Sequence, residues 1–71
     1  MEVDEVFGAQ LRYFRKKQKL SQLELGRLVN KPQTTISDWE TGKLLPDINE
    51  AVKLAATLGV KLTDLLEEQA S

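Results

Sequence analysis

The sequence predicts an all-α domain of five short helices, on three observations: apolar residues recurring at helical spacing, two capping boxes, and stop residues between the segments. No stretch shows sustained period-two alternation, so no strand is expected. Phe7, Leu11 and Phe14 recur at i, i+4 and i+7, with acids in the first turn and Lys16, Lys17 and Lys19 near the end, which places a first helix over about 4–18. Ser21 with Glu24 three positions on is a capping box opening a second helix at Gln22, from which Leu25 and Val29 face the core. Asn30 tolerates the left-handed conformation that stops it. Pro32 has no N–H to satisfy, so a third helix can begin at Gln33 and run to about Thr41, with Ile36 and Trp39 inward and Gly42 as its stop. Asp47 with Glu50 is a second capping box, for a fourth helix carrying Val52, Leu54, Ala55 and Leu58 and ended by Gly59. A short fifth helix over about 62–68 brings Leu62, Leu65 and Leu66 to close the core under the first.

At 71 residues the chain has room for one domain, spanning 1–71. Cysteine and histidine are both absent, which removes thiolate chemistry, the commonest general base and the commonest transition-metal ligand. An enzyme is therefore not expected, nor a metal, a cofactor or a small-molecule ligand. No stretch approaches the roughly 20 apolar residues of a membrane span, and the acidic start is unlike a secretory segment, so a cytoplasmic protein without a membrane partner is expected. Net charge is −1, but it is unevenly spread. Residues 12–43 carry eight bases against three acids, while both flanking segments are net acidic. A basic middle is an electrostatic footprint for a nucleic-acid partner, although its lysines also complement the negative end of the first helix.

The informative stretch is residues 21–47, in which a helix-turn-helix motif covers about 21–41. Two short helices joined by Asn30-Lys31-Pro32 make a helix-turn-helix, in which the second helix projects far enough to enter a DNA major groove. A small residue is needed where the two cross, and Gly26 stands there. Gln33, Thr34, Ser37 and Asp38 make a polar outer face while Ile36 and Trp39 anchor the inner one. Trp39 reads as core and not as a base-stacking platform.

The chain resembles the helix-turn-helix domain of lambdoid phage repressors, Cro proteins and xenobiotic-response-element-type bacterial regulators. The residues that carry the resemblance are Leu11-Arg12 and Arg15, then Leu20-Ser21-Gln22 with Glu24-Leu25, Thr35-Ile36-Ser37, Trp39-Glu40, Gly42-Lys43, Pro46, Leu58-Gly59-Val60 and Leu65-Leu66. It departs from the pattern in the turn, where Asn30 and Lys31 replace a glycine and an aliphatic residue. It departs again at Pro32, where a side-chain cap is usual.

The resemblance implies a lambda-repressor-like fold and sequence-specific binding of double-stranded DNA by a transcriptional regulator, with repression the preferred sign. Gln33 and Thr34 are then the principal base readers, since a glutamine amide pairs with adenine N6 and N7 and a threonine methyl meets that of thymine. Ser37 and Asp38 follow one turn on, Asp38 accepting from cytosine N4 or standing as a solvated edge residue. Gln22 is expected at a phosphate, bracing the Gln33 amide as well. Lys31, Thr35, Lys43 and the backbone amides after Gly42 complete the phosphate contacts. Arg15 and Glu40 are implied as an internal ion pair. Leu44 and Leu45 cannot both be buried in a short loop, so with Val60 they are candidates for a two-fold contact in a homodimer on a palindromic operator. The alternative is an interaction protein, such as an antitoxin or adaptor, that uses the fold to hold a protein partner. Leu23 and Leu28 on the second helix would mark its site.

Overall fold

The computed structural model describes residues 3–67, which form five helices and, among the described residues, no strand. Helix α1 is Val3–Lys17, α2 Gln22–Val29, α3 Gln33–Thr41, α4 Ile48–Leu58 and α5 Leu62–Leu66. The expected fifth helix reached residue 68, which lies outside the described residues.

Each boundary has a local cause. Ser21 accepts from the Glu24 amide at 3.0 Å while the Glu24 carboxylate accepts from the Ser21 amide at 2.8 Å, so two orphan donors at the start of α2 are satisfied reciprocally. Asp47 and Glu50 do the same for α4, at 2.8 and 2.9 Å. Helix α3 begins differently. Pro32 presets an extended residue (φ −68°, ψ 156°), and its carbonyl accepts from Thr35 and Ile36 at 3.0 and 3.3 Å with no side-chain cap. Left-handed residues end α2, α3 and α4: Asn30, Gly42 and Gly59 at φ 60°, 82° and 71°.

Helix α1 lies against α3 and α5, α2 against α3 and α4, and α4 against α5. Phe7, Leu11 and Phe14 of α1 meet Leu25, Val29, Ile36, Trp39, Ala51, Leu54, Ala55, Leu58 and Leu65 in one core, with Leu20, Val60 and Leu62 packed at its edge. Two apolar residues of the expected helical stripes are not in it. Val52 is half exposed on α4, and Leu66 is 45% exposed on α5, so Leu65 with Leu62 closes the core under α1. On helices this short the arc facing neighbours is narrower than the apolar stripe.

Two glycines set the approach of the helices. A Cβ on Gly8 would stand 2.8 Å from the Trp39 carbonyl oxygen and closer still to that of Glu40, so α1 touches the α3 backbone there. A Cβ on Gly26 would overlap the Lys31 carbonyl oxygen, and it lies 3.5 Å from Ile36 Cγ1. Gly26 thus stands where the sequence placed it, and its nearest neighbour is the turn itself. The Lys31 amide closes that turn onto the Gly26 carbonyl at 2.7 Å. Two glutamines of α1 and its exit reach distant backbone: Gln10 donates to the Asp64 carbonyl and Gln18 to the Leu58 carbonyl, both at 3.2 Å.

Candidate nucleic-acid interface

Helix α3 is held from beneath by Ile36 and Trp39, both buried, and its outer face follows from their spacing. Gln33 and Thr34 are exposed at its first turn, while Thr35, Ser37 and Asp38 are half-buried. The Thr41 hydroxyl turns back to the Ser37 and Asp38 carbonyls at 3.0 and 3.3 Å. The amides of Gln33 and Thr34, in the first turn, precede any intrahelical acceptor. The first turn of α3 therefore carries two exposed polar side chains and two backbone donors without an intrahelical acceptor.

One carboxylate ties the opposite end of α3 to α1 and α2. Arg15 Nε donates to Glu40 Oε2, and its second terminal nitrogen donates to Glu40 Oε1 at 3.1 Å, in the two-pronged arrangement that a guanidinium makes with a carboxylate. The remaining nitrogen, Nη1, donates to the Leu20 carbonyl at 2.7 Å. The pair is withdrawn from water, the side chains being 9% and 3% exposed. Gln22 Nε2 donates to the same Glu40 Oε1 at 3.1 Å. Glu40 thus joins α1, the α1–α2 loop, the start of α2 and the end of α3. The Gln22 amide, expected to brace Gln33, braces Glu40 instead.

The turn is secured by charge. Lys31 Nζ lies 2.6 Å from Glu50 Oε2 on α4, and the Glu50 hydrogen bond raises the lysine pKa while lowering that of the glutamate. A lysine replaces the usual apolar plug here because the second capping box holds an acid opposite it. Contact with a phosphate would require Lys31 to leave Glu50. Glu24, in the first capping box, is likewise held below its ordinary pKa, first by the Ser21 amide and then by its hydroxyl.

The expectation for the loop after α3 needs correction. The amides of Lys43 and Leu44 both point at the Asp38 carbonyl, at 3.0 and 3.3 Å, and so close the helix end. They are not turned outward as a phosphate clamp; of this part of the loop, the exposed Lys43 side chain remains. Leu44 and Leu45 are both exposed at 53%, where only one was expected to be, while Val60 packs against the core edge. Leu45, Pro46, Ile48, Ala51, Leu62 and Leu66 line an apolar groove between this loop and α5. Leu23 and Leu28 are exposed on α2. Arg12, Lys16, Lys17 and Lys19 are exposed along the second half of α1 and its exit, with Lys17 Nζ 5.8 Å from the centre of the Tyr13 ring. Among the described residues no group of histidine, cysteine and acidic side chains is placed to hold a metal, and no helix is long and apolar enough to cross a membrane.

A model of the helix-turn-helix family matches residues 11–65, from the middle of α1 to Leu65. The chain belongs to the helix-turn-helix family. Solved structures similar to this helix-turn-helix domain include the hypothetical transcription factor NHTF from Neisseria, at 30% identity and a TM-score of 0.88 over 93% of this chain and 76% of that one. The P22 c2 repressor, in complex with a synthetic operator, is 30% identical with a TM-score of 0.82 over 89% of this chain and 96% of that one. The lambda-repressor-like architecture read from the sequence is thus the one found. A curated relative, multiprotein-bridging factor 1 of Candida albicans, is 38% identical over 60 residues. That match covers 84% of this chain but 40% of the relative's length.

Proposed function

We propose that this helix-turn-helix domain binds double-stranded DNA sequence-specifically and regulates transcription, placing the first turn of α3 in the major groove. The observation that carries the reading is the exposed Gln33–Thr34 end of α3, a helix whose other end the Arg15–Glu40–Gln22 cluster ties to α1 and α2. Gln33 and Thr34 read base edges, with Ser37 and Asp38 one turn on. Gln22, Thr35, Lys43 and, on release from Glu50, Lys31 meet phosphates. Similarity to a repressor solved on its operator supports repression over activation, and a cytoplasmic site of action with it.

Gln33→Ala is the test. The glutamine amide offers one donor and one acceptor, matching adenine's major-groove edge better than the two acceptors of guanine. The variant is expected to lose about 1–3 kcal/mol on the operator selected from random duplex DNA and to relax choice at one symmetric position. Its melting temperature should match the parent's, since the side chain is exposed. Unchanged affinity and selectivity would remove Gln33 from the base readers.

The functional unit of this reading is a homodimer on a palindromic site, because one short helix reads too few base pairs to be selective. Leu44 and Leu45 with Val60 form its two-fold contact, widened by Ile48, 70% exposed, and by Val52. Leu45→Glu should reduce cooperative binding to a full palindrome and spare a half-site. Equal loss on both would reject this surface.

A second reading is favoured by the exposed Leu23 and Leu28 and by the relative whose name is that of a bridging factor. In it the fold serves chiefly to hold a protein partner, as in an adaptor or antitoxin. Retention on generic duplex DNA at low salt, lost at high salt, separates the two.

A further inference from the structure

The exit of α1, like the ends of α2, α3 and α4, closes on a left-handed residue, and at three of these four ends the residue is asparagine or glycine. The exception is Lys19, at the exit of α1, with φ 60°. A residue with a Cβ is disfavoured there by contact with the following carbonyl oxygen, which glycine escapes and asparagine partly offsets. The fold itself asks only for backbone at this position. The Lys19 amide donates to the Lys16 carbonyl at 2.9 Å, and the Leu20 amide to the Arg15 carbonyl at 3.1 Å. Neither bond involves the lysine side chain, which is exposed.

Position gives that side chain a use. The next carbonyl, Leu20, is held by the same guanidinium that holds Glu40 of α3, so the loop and the projecting helix are registered through one group. Two residues on, Ser21 caps α2, whose N-terminus bears Gln22. Lys19 therefore stands at the α2 edge of the interface, just after Lys16 and Lys17 of the last turn of α1. We propose that Lys19 is a DNA phosphate contact, kept in a conformation that disfavours it because its charge is fixed at that edge. This rests on the DNA-binding reading above.

The test compares Lys19→Ala, Lys19→Gly and Lys19→Arg with the parent for melting temperature and for affinity to duplex DNA across a salt series. Alanine keeps the disfavoured backbone and removes the charge, glycine removes both, and arginine keeps both. The glycine variant is expected to melt about 4–8 °C above the alanine variant. Both should bind more weakly than the parent on specific and generic duplexes alike. Their slope of log affinity against log salt should be flatter by about 0.9, so that the parent's advantage shrinks about three- to fourfold between 50 and 200 mM salt. Arginine should hold the parent's slope. Unchanged slopes for alanine and glycine, with the parent still binding DNA, would overturn the contact alone. Equal melting of those two variants would overturn the strained placement. A parent that binds no duplex at any salt would overturn the DNA-binding reading, and this contact with it.

Discussion

Glu40→Ala is expected to cost this domain about 3–5 kcal/mol, because it leaves the Arg15 guanidinium buried without its partner. Domains of this size are stable by about 4–10 kcal/mol, so the loss is a large share of the total. Thermal or urea unfolding should show a midpoint far below the parent's. The effect belongs to the broken pair and not to a net contribution of the pair itself. An Arg15→Met, Glu40→Leu double variant should therefore regain much of the loss, less the bonds that Arg15 makes to the Leu20 carbonyl and Gln22 makes to Glu40. A Glu40→Ala variant with the parent's midpoint would show that the cluster does not hold α1, α2 and α3 together.

Gly8→Ala should be nearly as damaging, for a steric reason. Alanine is the better helix former by about 1 kcal/mol, which by itself would raise stability. The added carbon, however, meets the carbonyls of Trp39 and Glu40, and these are backbone atoms in the last turn of α3. Helix α1 must move away, opening the core around Phe7, Leu11 and Trp39. Overpacking ordinarily costs about 1–3 kcal/mol, and the absence of a flexible neighbour puts this site at about 3 kcal/mol or above. The melting temperature should drop by at least about 12 °C. A variant that melts with the parent would mean that α1 and α3 do not cross at Gly8.

What the sequence made legible was mostly local. Ser21 with Glu24 and Asp47 with Glu50 are recognisable because a capping box is complete within four residues. Asn30, Gly42 and Gly59 are recognisable because few residue types accept a positive φ. The ion pair of Arg15 with Glu40 spans 25 positions and was legible only through the family resemblance. What escaped depends on which neighbour sits where. Gln22 turning to Glu40, and Lys31 to Glu50, are choices among several nearby partners that no spacing decides. Val52 and Leu66 lie at the margins of apolar stripes, and only the packing of α4 and α5 determines which margin faces out. Gly8 did leave a signal: a glycine inside a helix is unfavourable enough to suggest that another backbone passes close by.

The tie between α1 and α5 has a mechanical side. Gln10 and Asp64 are 54 positions apart, yet one hydrogen bond joins them, and Leu65 is wholly buried under α1. Tension applied where the chain enters α1 and leaves α5 is shared between this contact and the α1–α3 crossing at Gly8. The α2–turn–α3 segment lies inside the loop that Gln10 and Asp64 close, yet α1 also bears on α3 at Gly8 and through Arg15, so a load on α1 is felt at α3 directly.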